Sequence, residues 1–487
     1  MRDDLDFAKP LACDVAIAGA GLGGLVAGAI LARRGRRVVV VERAGRVGGR
    51  GGATPHRGWW LDGGLRDGAD PGDLQVGWRY GRLAEREAGV EVPLRPVEPV
   101  IRVHRLPDAR GGGEGRVVEG RWGAKGFARM ACDAFGCPEA KLPVFAAVLA
   151  KLTGAGPEER RAALPLALGA WLEGEVADAD VRRALLTMLA VIFAERPERA
   201  SVGRLMGFFA RRDDLPELVI GCADHPQVGG MQGLAQPFAD AIAARGGRLL
   251  LGLAPRELLF EGARAAGLVA VDEGHLALEV RARAVVLAAP VWQALRLLPP
   301  ERIDPGLAAL ARALEDEQAE AIGWQAGLRR LPRLRATGES ESHAGWNRVL
   351  VGPDARYHGG FHLPSLGSRR QAPEGRHLLH AFIGSWLARD ERIPWARSRA
   401  RLETLLAYLR SFYLDLDACL EWSAVQWVER PALLAWQWSG VPRHGVRAPG
   451  CEGVYLAGTT FESEAGPIDI AAHAGLEAAR AVQEDAP

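Results

Sequence analysis

Lysine is nearly missing from this chain of 487 residues: Lys9, Lys125, Lys141 and Lys151 are the only four, and none follows residue 151. Chemistry that needs an amine side chain must find it in the first third. The remaining basic residues are arginine, a bias that by itself carries no function. Lysine and arginine together number 61 against 60 acidic residues, a net charge of +1. No broad field is therefore available for nucleic acid or an anionic membrane surface. Cysteine is sparse and scattered, at 13, 132, 137, 222, 419 and 451. That scatter fits free, buried thiols better than a disulfide framework. Cys132 and Cys137 lack the second pair that a zinc site needs. The opening "MRDDLDFAKP" is acidic and poor in apolar residues, unlike a secretory signal, so a cytoplasmic protein is expected.

One uncharged stretch, Val15 to Ala32, is long enough to raise the question of a membrane span. Its glycines answer against one. Gly19, Gly21, Gly23 and Gly24 follow an alternating apolar run that reads as a buried strand. From Leu25 to Arg34 apolar and small residues recur at helical spacing, Gly35 ends the helix, and "RVVVVE" is a second β-branched strand. Gly19, Gly21 and Gly24 hold the G-x-G-x-x-G positions of a strand–turn–helix–strand unit. Such a unit places a dinucleotide pyrophosphate at a helix N-terminus. Glu42 ends the second strand eighteen residues after Gly24, where a carboxylate accepts from ribose hydroxyls and repels a 2′-phosphate.

The length calls for at least two domains, and 48% apolar residues are ample for burial. "AGRVGGRGGATPHRGWWLDGG" has no period and reads as a loop lying close to something. Residues 124 to 212 read as helical. "GGMQGLAQPFADAIAARGGRLLLGL" is a glycine-led helix and strand, and the next segment is a hairpin returning into a buried strand. Residues 301 to 444 mix strands with one strong helix, and the end is again strand, loop, glycine, helix.

With Glu42 followed by Gly48, Gly49 and Arg50, and with matching segments in order along the whole chain, the sequence resembles the FAD-dependent amine oxidase and phytoene desaturase superfamily. "LPSLGSRRQAPEGRHLLHAFI" is similar to the desaturase branch in particular. The resemblance implies an α/β fold: a Rossmann-type, glutathione-reductase-like FAD domain with a mostly parallel sheet and an inserted α+β substrate domain. The FAD domain would comprise 10–80, 225–300 and 445–487, and the substrate domain 81–224 and 301–444.

By that resemblance, FAD contacts Gly19, Gly21, Gly23, Gly24, Glu42, Arg43, Gly48, Gly49 and Arg50. Asp62, Gly63 and Gly64 bring the chain back over the flavin. Gly466, Ile468, Asp469 and Ile470 pass its pyrimidine edge, with a helix starting near Asp469 aimed at N1 and O2. The bland alternative for that last segment is an ordinary acid-capped surface helix. Two positions depart from the family. Gly458 is followed by Thr459 where a carboxylate usually holds the ribityl chain, and the residue whose backbone grips adenine is Pro255, which has no N–H. Candidate catalytic residues are Arg66, Asp67, Trp436 and Trp438, with surface ion pairing and packing as their bland alternatives. His343, His358, His362 and His377 are candidate bases or satisfied structural groups.

Amine oxidases of the superfamily hold a water at flavin N5 with a lysine from the second half of the chain, which has none here. The expected function is a desaturase or dehydrogenase acting on a polyene, terpenoid or similar apolar molecule. A lysine-free amine or amino-acid oxidase and a flavoprotein that only binds its partner are the alternatives. The apolar helices of residues 144 to 193 suit either a lipophilic tunnel or a plain core. The expected partner is a lipophilic small molecule, with no nucleic acid, no transmembrane segment, room for peripheral membrane contact, and an unassigned electron acceptor.

Overall fold

The computed structural model describes residues 5–62, 76–96, 100–107, 115–121, 130–193, 197–210, 219–316, 319–352, 356–386, 395–428 and 443–485. Five parallel strands form the sheet that carries the nucleotide motif, in the order Arg248–Leu251, Val38–Glu42, Val15–Ala18, Ala284–Leu287, Val454–Leu456. Val38 to Glu42 is buried at every position, as a β-branched run covered on both faces should be. Helix Leu22–Arg33 packs between helices Gln232–Ala244 and Pro467–Asp485 over this sheet. Chain pieces far apart in sequence thus share one sheet. The stretch from Val15 to Ala32 is a strand followed by most of a twelve-residue helix. Among the described residues no helix is long and apolar enough to cross a membrane.

Helix Leu22–Arg33 starts three residues before the periodicity begins at Leu25, because Gly23 and Gly24 interrupt the apolar pattern after Leu22. The stretch after Arg50, expected as loop, contains a hairpin of Ala53–His56 and Trp59–Asp62. Arg57 and Gly58 both have positive φ, 51° and 89°, and supply its two-residue turn.

The second large sheet has seven strands, in the order Leu420–Val428, Ala319–Leu328, His377–Trp386, Arg356–His362, Trp346–Val351, Val100–Leu106, Arg116–Arg121. One face is apolar: Ile322, Trp324, Leu328, Phe361, Leu379 and Ile383 pack on Leu402, Leu405 and Leu409 of helix Trp395–Phe412. Strand alternation puts Gln325, His380 and His362 in one row on the other face, with Phe382 and Arg348 on neighbouring rows. At one edge this face meets the hairpin, where Trp422 lies edge-on to Trp59 with centroids 5.4 Å apart. Helices Leu142–Gly154, Ala179–Phe193 and Val202–Phe209 close the other edge. Their Phe145, Leu149, Leu152, Met188, Leu189, Leu205 and Met206 are buried in one cluster with Ile101, Val103 and Leu350. Those apolar side chains form a continuous buried cluster between the helices and the sheet.

All six cysteines are free, and five are buried. Burial pushes Cys13 and Cys222 up to about 12, so both stay protonated thiols.

Candidate functional site

The nucleotide motif separates its glycines by task. A Cβ on Gly23 would lie 2.2 Å from the Ala457 carbonyl oxygen, and one on Gly24 2.2 Å from the Gly19 oxygen. These two glycines let the helix pack on strand and neighbouring loop. Gly458 is the same case, 2.1 Å from the Ala289 oxygen. Gly19 sits at φ 110° beside Ala288 and makes the turn. A Cβ on Gly21 would meet nothing within 4 Å. Gly21 is also the N-cap of helix Leu22–Arg33, which has no side-chain cap and no acid in its first turn. The first N–H groups and the positive end of the helix therefore face open space, as an anion seat requires.

Gly48 and Gly49 close one side of that seat. The Gly48 N–H donates to the Ala20 carbonyl at 2.8 Å, Gly48 bridges to Gly21, and a Cβ on Gly49 would stand 3.0 Å from the Gly21 Cα. Both have positive φ, 106° and 58°. The buried Glu42 carboxylate accepts from Ala20 N–H and Ala44 N–H, each at 2.8 Å. Each oxygen keeps a lone pair for a ribose hydroxyl, so Glu42 orients the loop as well as offering acceptors. Arg43 beside it is exposed. Uncapped helix, open glycine and anchored acid together fit the dinucleotide of FAD.

Beside this seat, Gly252 N–H donates to the Ala44 carbonyl and Leu253 N–H to the Glu42 carbonyl. Pro255 follows, paired with Ala270 at a bulge, where a missing N–H is tolerated. Opposite, Arg50 donates to the Thr459 hydroxyl and Arg443 Nη1 to the Thr459 carbonyl at 3.1 Å. The next residue, Thr460, is buried; its hydroxyl accepts from Val291 N–H at 3.1 Å and meets His444 Nε2 at 2.6 Å.

Other expected site residues have partners within the protein. The Asp469 carboxylate is spent on the N–H groups of Arg79, Tyr80 and Gly81, at 3.1, 2.8 and 2.7 Å, capping helix Tyr80–Ala88. Burial pushes its pKa up to about 6 against those three donors. The last helix starts at Pro467, so Gly466 and Ile468 lie at its entry, while the Ile470 side chain is core. Asp62 Oδ1 accepts from Met231 N–H, the N-cap of helix Gln232–Ala244. Arg66, Asp67, Gly63, Gly64, Trp436 and Trp438 lie outside the described residues.

Of the four candidate histidines, His362 alone shares a row of the seven-stranded sheet with Gln325 and His380. His343 sits beside Glu341 and Arg102, His358 faces the Arg401 carbonyl at 3.1 Å, and His377 faces Ser365 Oγ at 3.3 Å. Sequence reasoning missed His380, Gln325, Gln426, Arg348 and Arg443. His380 stands three residues after His377, and that odd spacing on a strand was the available signal that the two face opposite ways. Gln325 Nε2 donates to Gln426 Oε1 at 2.6 Å, and Gln426 Nε2 to the Asp62 carbonyl at 3.5 Å, which ties the sheet to the hairpin. The buried Arg348 guanidinium lies 5.4 Å from the Phe382 ring centroid.

Comparisons with known proteins agree with this geometry. The family model described as flavin containing amine oxidoreductase matches residues 145–483, and that of an NAD(P)-binding Rossmann-like domain matches 17–72. Among solved structures, an oxidoreductase from Methanosarcina mazei is similar at 16% identity with a TM-score of 0.68, covering 97% of this chain and 100% of that one. Putrescine oxidase bound to putrescine is similar at 18% identity and TM-score 0.61, covering 98% and 100%. Cyclohexylamine oxidase from Brevibacterium oxydans gives 19% and 0.58, covering 97% and 99%. No curated protein matches the sequence.

Proposed function

We propose, on the premise that this chain belongs to the flavin containing amine oxidoreductase family, that its substrate is an apolar alkene-type molecule, a polyene, terpenoid or similar compound, from which it removes hydride. The chain is an FAD-dependent oxidoreductase; the substrate class is the proposed part. FAD, when bound, supplies the hydride acceptor.

The observation that supports this substrate class is the disposition of the lysines. Lys9 pairs with Asp6 at the surface, Lys141 with Asp178 and Asp180 at 2.8 and 2.7 Å, and Lys151 with Glu175. All three are committed to ion pairs away from the nucleotide seat, and Lys125 lies outside the described residues. A lysine-held water for amine oxidation has no donor from the second half of the chain, whereas removal of hydride from a carbon skeleton asks for none. Phe382 and Trp422 are buried apolar side chains on the sheet face that also carries His362 and His380.

A second reading, oxidation of an amine or amino acid, is favoured by the buried Arg348 and the Gln325–Gln426 pair, polar groups that a pure hydrocarbon does not need. The solved relatives named for putrescine and cyclohexylamine add to it. Anaerobic mixing with detergent-dispersed polyenes and terpenoids and with a panel of small amines, followed by flavin absorbance, decides between them. Bleaching by the alkenes alone is expected; rapid bleaching by amines with no response to alkenes overturns the proposal.

A further inference from the structure

Two arginines converge on the one residue where the chain departs from its family's acid. Arg50, from the diglycine loop, donates to the Thr459 hydroxyl, and Arg443 Nη1 donates to the Thr459 carbonyl at 3.1 Å. Thr459 stands two residues past Ala457, whose carbonyl abuts the first turn of helix Leu22–Arg33 at Gly23. The pair therefore borders the uncapped helix end. The other nitrogen of Arg443, Nη2, is sealed from solvent and has no hydrogen-bond partner among the described residues. The carboxylate near it, Glu462, is held by Arg204 Nη2 at 3.2 Å. Burial and the closeness of Arg204 hold the guanidinium well below its ordinary range, at about 9. A buried cation with an idle donor is costly unless a ligand completes it.

We propose that Arg443 is an FAD-binding residue, whose Nη2 donates to an oxygen of the bound cofactor and which, with Arg50, replaces the family's carboxylate at Thr459 by a cationic seat. This rests on FAD being the cofactor. The seat draws on attraction to an electron-rich or charged acceptor where an acid at 459 would draw on a ribityl hydroxyl, so the sign of the local charge is reversed.

The test uses the full chain stripped of FAD and titrated with FAD, FMN and riboflavin by flavin fluorescence, together with the thermal midpoint of the stripped protein. Arg443→Gln is expected to weaken FAD about ten- to a hundredfold, as loss of a charge-assisted hydrogen bond does. Arg443→Lys, which keeps the charge and loses the fork, is expected to weaken it less. The stripped Arg443→Gln protein is expected to melt no lower than wild type, because an unpaired buried charge is gone. Weakening confined to FAD and FMN assigns the contact to phosphate; equal weakening of riboflavin assigns it to the flavin or ribityl portion. Unchanged FAD affinity with a lowered midpoint makes Arg443 structural and overturns the proposal. Should the glutamine variant not fold, Arg443→Lys with wild-type affinity overturns it equally. A wild-type protein that takes up no flavin overturns the cofactor premise itself, a different failure from a variant that matches wild type.

Discussion

Alanine at Gly21 and alanine at Gly23 should fail in opposite ways, although the residues are two apart in one motif. At Gly21 the backbone is extended, φ −71° and ψ 169°, and a Cβ meets nothing within 4 Å. Alanine there gains about 0.4–1 kcal/mol from a less flexible unfolded chain and loses a similar amount as a poorer N-cap. The stripped protein should therefore melt like wild type. The methyl group, however, enters the space that the uncapped helix end faces, and FAD affinity should fall at least tenfold, about 1.4 kcal/mol.

At Gly23 a Cβ would sit 2.2 Å from the Ala457 oxygen and 3.0 Å from the Ala471 oxygen. The first gap is more than an ångström inside the roughly 3.5 Å of ordinary contact. Neither carbonyl can swing aside, since both belong to backbone packed on this helix, and Gly475 presses on the Gly23 carbonyl from the last helix. Overpacking of this kind costs about 1–3 kcal/mol, partly offset by up to about 1 kcal/mol of helix propensity. Gly23→Ala should lower the midpoint of the stripped protein, and its FAD affinity should fall only as the helix is displaced. Thermal unfolding without FAD, paired with fluorescence titration, reads both quantities. Equal destabilisation by the two variants, or Gly21→Ala binding FAD within twofold of wild type, would refute this division of labour.

Three further outcomes follow from the same geometry. Glu42→Ala removes the acceptor of two N–H groups, so it should cost about 2–4 kcal/mol of stability in urea unfolding as well as weakening FAD, while Glu42→Gln, which keeps one acceptor oxygen, should lose about half as much. Thr459→Val deletes the hydroxyl that accepts from Arg50 and should weaken FAD severalfold, about 1 kcal/mol, through any bond of that hydroxyl to the cofactor; affinity equal to wild type in both Thr459→Val and Thr459→Asp would show that the position does not face the cofactor. Burial holds His104 at about 3, and His343 and His444 at about 4, below the unfolded value near 6.5. Their folded pKa values are depressed, so the stability they contribute is present above pH 6.5 and lost as pH falls toward 4. At pH 5 these three and His358, also held at about 4, bind between about three and four more protons in the unfolded chain, while Asp469, raised to about 6, binds about one fewer there, a net slope of about 4 kcal/mol per pH unit from these groups; urea midpoints equal at pH 7 and pH 5 would contradict it.

The sequence by itself determined the nucleotide fold and the kind of cofactor, because both rest on local rules. A glycine turn, a helix N-terminus and an acid on the next strand are fixed by spacing within thirty residues, and the last strand and helix could be read the same way. Even there the task of each glycine was out of reach. That Gly23 is filled by Ala457 while Gly21 faces open space depends on a chain segment more than four hundred residues away. Asp469 had the composition of a helix-start acid near the flavin, yet tertiary packing brought the N–H groups of residues 79 to 81 to it. His362, His380, Gln325 and Arg348 share a face only because register and alternation in a seven-stranded sheet align strands that no local pattern relates. Arg443 carried no signal at all in "VPRHG". Its idle nitrogen exists only because folding seals it beside Thr459 and gives the nearby carboxylate to Arg204, which only long-range packing can decide.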